Sequence, residues 1–228
     1  MKKTNRSRNV LALESAVAGG SVALIREEKK FVLNREGPEC SRAENLLSII
    51  AGILKEAELT LRDINLIAVS TGPGSYSGIR IGLSTAMGLG DALGVRCVGV
   101  SVLDAMAWAA RLEGSFIVAV PVGKNDVAWQ IFRTGGQGAP QGDSDPELLS
   151  SASFIDRLKG LPEVSLFGQR DLLDRIGDQI PLTTPRVDAG RGIAEMVGRE
   201  AMRQGETDSP LRPIYLRNRD SDVRSARF

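Results

Sequence analysis

Histidine is absent from all 228 residues of the chain. That gap removes Ser-His-Asp and Cys-His nucleophile machinery, HExxH zinc sites and any imidazole general base. Carboxylate, lysine or Ser-Lys chemistry stays open. Cysteine is scarce as well. Cys40 and Cys97 stand far apart and form no CxxC, so neither a disulfide framework nor a metal knuckle is indicated, and a reducing compartment is. Charge of one sign is not in excess: the formal net charge is +1, which excludes a global basic field for gripping nucleic acid and leaves only a local patch. A long hydrophobic run is also missing. The basic start MKKTNRSRNV leads into LALESAVAGGSVALI, where Glu14 interrupts an apolar stretch too short and too broken for a secretion signal or a membrane span. The expectation is a cytoplasmic chain without membrane contact.

What is present reads as globular. Hydrophobic residues make up 42% and charged residues 25%, and the length allows one large domain or two small lobes with a sizeable core. VLAL (10–13) and SVALI (21–25) predict a strand hairpin around ESAVAGG, with FVLN (31–34) as a third strand. Ser41 followed by Glu44 has capping-box spacing. Behind it Leu46, Leu47, Ile50, Ile53, Leu54 and Ala57 recur at helical spacing, predicting a helix over residues 42–57. A strand over 64–70, a glycine-rich turn and a helix over 77–93 follow. After Gly94 the order repeats in kind. It runs through a strand at 95–100, a helix from Val102 capped by Ser101, a second hairpin at 115–120 and 127–132, a loop at 133–146, a helix at 147–159, a strand at 163–167, and helices at 169–177 and 191–204.

No residue-level repeat is visible, only a repeated order of elements. That order predicts an α/β chain of two lobes related by duplication, as in the actin-like and sugar-kinase (ASKHA) architecture. The lobes are placed at residues 1–107 and 108–205. A tail over 206–228 is expected to pack back partly through Ile214, Tyr215 and Leu216. Its arginines (Arg212, Arg217, Arg219, Arg224, Arg227) are offset in part by Asp208, Asp220 and Asp222.

Two constellations carry candidate chemistry. In the turn at 72–78, Gly72, Gly74, Ser75 and Ser77 lead from a strand into a helix, whose unpaired N–H groups suit an anion. The spacing is neither GxxxxGK[ST] nor GxGxxG, so a structural turn is the better reading and a nucleotide site the weaker one. Glu14 sits in the first hairpin, where actin-like kinases place a carboxylate near phosphates and metal. The second hairpin offers Pro121, Val122 and Gly123 at its turn, and a two-lobed phosphotransfer site looks incomplete. The helix after the turn is more informative. Gly78, Gly82, Ala86 and Gly90 form a smooth stripe, although each interior glycine costs about 1 kcal/mol against alanine. Such a stripe lets another backbone come close. The neighbour is either the chain's own sheet or a partner helix, with Leu47, Ile50 and Leu54 of the preceding helix joining the contact.

The block from Ile64 to about Ala107, with GPGSYSGIRIGLSTAMGLGDALG at its centre, resembles the TsaB (YeaZ) family of subunits in bacterial tRNA threonylcarbamoyladenosine synthesis. LALESAVAGGSVALI is similar to that family's first hairpin, and PIYLR (213–217) to its closing motif. The likeness is good in the amino-terminal half and faint in the other. It implies an actin-like fold with degenerate nucleotide elements and no cofactor on this chain. It also implies a non-catalytic role beside TsaD, which carries the metal-binding histidine pair missing here. TsaE is the ATPase of the set, so ATP and metal are expected on partner subunits and tRNA contact through the complex. The helices over 42–57 and 77–93 would then form the TsaD interface, or a homodimer interface in its absence. The departures are Glu14-Ser15-Ala16 for Asp-Thr-Ser, Pro121-Val122-Gly123 for Asp-Ala-Arg, and Arg42-Ala43-Glu44 for His-Ser-Glu. All three reduce independent catalysis. A small ATP-dependent kinase-like enzyme is the alternative, and a peptidase a poorer one.

Overall fold

Strands whose two faces are both buried read as continuous apolar runs, and the runs VLAL, VALI, LIAV and FIVAV all become central strands. The computed structural model describes residues 8–17, 19–26, 31–136, 138–161, 164–179, 185–190, 192–205 and 211–217. The tail positions Asp208, Arg219, Asp220, Asp222, Arg224 and Arg227, and residue 163 of an expected strand, lie outside them.

The first sheet contains β1 (Asn9–Glu14), β2 (Ser21–Arg26), β3 (Phe31–Glu36), β4 (Leu66–Ser70) and β5 (Arg96–Val100), in the order β3-β2-β1-β4-β5. The hairpin strands pair antiparallel, while β1, β4 and β5 run parallel. The second sheet contains β6 (Gly114–Val122), β7 (Asp126–Thr134), β8 (Gln141–Gly142), β9 (Glu147–Ser150), β10 (Ser165–Gly168) and β11 (Arg186–Asp188). Its order is β11-β10-β6-β7-β8, with β9 also on β7. Parallel strands again lie on one side of the leading hairpin and antiparallel ones on the other. Both lobes therefore follow one plan, and the fold is the two-lobed, duplicated α/β architecture of actin-like proteins.

Six helices are present among the described residues: α1 (Ala43–Glu56), α2 (Tyr76–Leu93), α3 (Val102–Ala110), α4 (Ser151–Lys159), α5 (Arg170–Ile176) and α6 (Ile193–Arg203). Strand alternation sorts them into layers. Leu11, Leu13, Val22, Leu24, Ile67 and Val69 face α1 and α2. Val10, Ala12, Ala23, Ile25 and Ala68 face the opposite way, onto α3 and α6, and Phe116, Val118 and Val120 of the second sheet meet the same layer. Ile117, Ala119 and Trp129 face α4 and α5. The order is α1/α2, sheet, α3/α6, sheet, α4/α5. Although α6 comes from the stretch assigned to the second lobe, it lies across β1, β2 and β4 of the first. No helix among the described residues is long and apolar enough to cross a membrane.

Local expectations met several differences, among them the short strands β8, inside an expected loop, and β11, where no strand was expected. Ser41 does not cap α1: its hydroxyl donates to the Pro38 carbonyl in a short 3-10 turn, and Arg42 takes the cap position without a side-chain bond. The capping box is instead at Thr60 and Asp63. The stretch expected as one helix over 147–159 begins as β9, because Leu148 and Leu149 pair with β7 before Ser150 caps α4.

The largest correction concerns the glycine stripe. Gly78, Gly82, Ala86 and Gly90 are buried against the chain's own first sheet and hairpin. A Cβ at Gly78 would collide with the Ser15 carbonyl oxygen, one at Gly82 would meet Ser15 Oγ at 2.5 Å, and one at Gly90 would collide with Cys97 Sγ. Ile50 and Leu54 are likewise buried, at 2% and 3% exposure, whereas Leu47 is 58% exposed. Six of the seven residues expected at a partner interface are thus spent on the internal core. Periodicity identified a surface of close approach but not which backbone approaches it. Within α1 and α2 the glycines left open are Gly52 and Gly88, where an added Cβ meets nothing within 4 Å.

The two kinds of glycine predict opposite stability changes. Gly88→Ala gains helix propensity and should stabilise the chain by about 1 kcal/mol. Gly78→Ala gains the same increment but forces backbone apart, and should lose about 1–3 kcal/mol net. Urea denaturation of both variants measures the difference. Equal effects would show that the stripe is not in tight contact.

Candidate functional site

Because β1 runs straight into the hairpin, its last residue, Glu14, is carried to the rim of the sheet between the lobes. There it lines a cleft of about 400 Å³. The first lobe contributes Glu14, Ser21, Glu36 and Pro38; the second contributes Gln169, Arg170 and Asp171 at the start of α5, Asp188 at the end of β11, Gly190 after it, and Ile193 of α6. Clefts between duplicated lobes are a preferred location for ligands.

Glu14 is 2% exposed. Its Oε1 accepts from the backbone N–H of Ala16 at 2.6 Å and of Val17 at 2.9 Å, and from Ser70 Oγ at 3.4 Å. Burial disfavours the ionised form. That effect outweighs the three hydrogen bonds and raises the carboxyl from 4.5 to about 7. The group is therefore a proton donor or acceptor poised near neutrality, and its partners Ala16, Val17 and Ser70 all belong to its own lobe.

The rest of the cleft offers little free positive charge. Glu14, Glu36, Asp171 and Asp188 are acidic, and the one cation among the described lining residues, Arg170, is paired to Asp188 at 2.8 Å. The topological counterpart of Glu14 at the end of β6 is Val122, so the second hairpin brings no carboxylate to the cleft. Among the described residues no group of three or more cysteines and carboxylates is arranged for a metal ion. Burial pushes both Cys40 and Cys97 thiols above their ordinary value, so both behave as small apolar groups.

The turn at 72–78 is separate from the cleft, and Gly72, Gly74, Ser75 and Ser77 do not join Glu14 there. Their chemistry is internal. Ser75 Oγ caps α2 by accepting from Gly78 N at 3.3 Å, and Ser75 N donates to the Ala16 carbonyl at 2.6 Å. A Cβ on Gly74 would strike that same carbonyl. Gly72 has φ +98 and lies against the Ile214 carbonyl, so the segment 211–217 straps the turn down. Two of the N–H groups at the helix start are thus already bonded, Gly78 N to the serine cap and Ser75 N to Ala16, while Ser75 and Ser77 themselves are exposed.

Sequence reasoning missed the second-lobe wall of the cleft. The signal was the run Asp188-Ala189-Gly190-Arg191-Gly192 just before α6, a glycine-rich helix entry like the one it weighed at 72–78.

Replacing Glu14 with Gln should change the pH dependence of stability. The wild-type carboxyl holds its proton in the folded state up to about 7 but in the unfolded state only to about 4.5. The folded chain then binds more protons between those values, so stability falls as pH rises through that window. Glu14→Gln should remove this decline and be more stable than wild type above pH 7 by up to about 3 kcal/mol. Denaturation curves at a series of pH values test it, and parallel wild-type and variant profiles would refute it.

Comparison with known proteins locates this geometry. Residues 39–143, which run from before α1 to just past β8, match the family model described as TsaD, tRNA N6-adenosine threonylcarbamoyltransferase. The tRNA threonylcarbamoyladenosine biosynthesis protein TsaB of Buchnera aphidicola (subsp. Baizongia pistaciae) is 30% identical over 160 residues, covering 68% of this chain and 71% of the relative. An uncharacterized protein of Mycobacterium tuberculosis is 27% identical over 222 residues, 93% of each chain. The solved structure of YeaZ from Pseudomonas aeruginosa superposes with a TM-score of 0.66 at 24% identity, covering 92% of this chain and all of that one, which establishes the shared fold. With a duplicated actin-like frame, a strapped GPGSYSG turn and a TsaB relative matched over most of its length, the chain belongs to the TsaB family.

Proposed function

We propose that the chain is a non-catalytic subunit in formation of threonylcarbamoyladenosine on tRNA, supporting a TsaD-like transferase that performs the transfer. The observation that carries this reading is the interlobe cleft. It is lined by one carboxylic acid held near neutral pH and by three further acidic side chains, with no unpaired cation among its described lining residues. A phosphotransfer site needs the opposite, with cations and metal clamping phosphate oxygens. The absence of histidine from the sequence removes the paired imidazoles of the metal-binding relative. ATP and metal therefore belong on the partners, a TsaD-like subunit and a TsaE-like ATPase, and tRNA reaches the chain within their complex in the cytoplasm.

The partner face lies on the outer side of α1 and α2, opposite the buried stripe. Leu47 and Met87 are large apolar groups at 58% and 50% exposure. Around them Ala51, Gly52, Ser84 and Gly88 are small and exposed. Small residues beside protruding apolar ones let two helix pairs interlock, each burying apolar area worth roughly 25 cal/mol per Å². A homodimer through the same face fills it when the partner is missing.

Leu47→Arg and Met87→Asp should each weaken association with a TsaD-like subunit by more than about tenfold while leaving the melting temperature of the isolated chain nearly unchanged. Size-exclusion chromatography of the mixed proteins reads the outcome. A complex undiminished in both variants would refute this face, and a wild-type chain that binds no such subunit would refute the function.

A further inference from the structure

Two tyrosines far apart in sequence meet on the surface. Tyr76 opens α2 and Tyr215 sits in the strap, and their ring centroids lie 4.9 Å apart at 35°. Both remain open to solvent, at 53% and 44% exposure. The Arg80 guanidinium lies 4.0 Å above the Tyr76 ring and donates to Tyr215. No salt bridge to Arg80 occurs among the described residues. The strap is held firmly: Ile214 N donates to the Thr71 carbonyl at 2.7 Å, and Leu216 packs into the core between the sheets. Arg212 and Arg217 project from the same strap and are exposed. An extended chain of this length keeps both within about 11 Å of Tyr215.

Aromatic rings left outside the core, a guanidinium stacked on one of them, and cations without a carboxylate partner among the described residues form a recognisable combination. Bases stack on exposed aromatic faces without regard to sequence, and phosphates meet the cations. A protein partner would have to supply a carboxylate for Arg80, whereas a nucleic-acid backbone carries negative charge at every residue. The platform is also distinct from the proposed partner face: Tyr76 and Met87 are separated by about 16 Å along the axis of α2. We propose that the Tyr76–Tyr215 platform with Arg80 binds single-stranded RNA, with Arg212 and Arg217 meeting the flanking phosphates. This rests on the reading of the chain as a component of a tRNA-modifying assembly. Because the whole chain is close to neutral, the contact is local and weak alone, and strengthens within a complex.

Fluorescence anisotropy of the full-length chain tests the proposal with a labelled oligouridylate of about 12 nucleotides and with an unmodified tRNA transcript. Tyr76→Ala and Tyr215→Ala should each weaken binding of both probes by about tenfold, and Tyr76→Phe should restore it. Arg80→Gln, Arg212→Gln and Arg217→Gln should each lower the slope of log affinity against log salt by about 0.7. Circular dichroism confirms folding; should Tyr215→Ala loosen the strap, Tyr76→Ala still decides the matter. Unchanged affinity in the tyrosine variants, or no binding by wild type, overturns the platform. So does loss of the TsaD-like partner in these variants with RNA affinity intact. A wild-type chain that binds RNA through these residues but no partner supports the platform while removing the subunit reading.

Discussion

One backbone-on-backbone contact organises the first lobe. The turn at 72–78 and the first turns of α2 rest directly on the peptide of Ser15 and Ala16, close enough that Gly74 and Gly78 cannot carry a side chain. Ser15 Oγ donates to the Gly78 carbonyl at 2.7 Å, and Ser75 N donates to Ala16. Around this contact the turn becomes a hub. Thr71 N donates to Val100 of β5, Val102 N at the start of α3 donates to Gly72, and Ile214 of the strap donates to Thr71. The hairpin that holds Glu14, the helix entering the middle layer and the strap that carries Tyr215 are all positioned by it.

A second constraint follows from the layers. Helices α3 and α6 lie between the two sheets and belong to one continuous core with both. Gly198 lets α6 pass close to Ile25 and Ala12, and Ala194 N donates to Ser21 Oγ at 2.9 Å, tying the base of the cleft across the lobes. Closing such a cleft requires that packed core to shift, since interiors at this density deform little. A frame tied in this way holds the two walls of the cleft through one shared packed layer.

The smooth stripe on α2 shows where a local pattern stops being informative. Small residues every fourth position establish that something approaches closely, and the period says on which face. Whether that neighbour is the Ser15 peptide or a foreign helix depends on contacts across more than sixty residues of chain. The exposed pair Gly52 and Gly88 gave no signal of their own, because a glycine facing solvent and one facing a carbonyl oxygen look alike in sequence.

By itself the sequence determined the strands of the first sheet, the hairpin and β10 of the second, most of the helices and the doubled order of elements, because apolar period and turn residues act within a few positions; the short strands β8, β9 and β11 were not legible. It also determined the chemistry that is unavailable, since a missing histidine is missing in any fold. Only the tertiary structure decided which glycines are walls and which are openings, and that Glu14 is buried enough to hold its proton near neutrality. It alone decided that Tyr215 returns to stack on Tyr76. Each of these depends on desolvation or contact between segments distant along the chain, and such contacts exist only once the layers have closed.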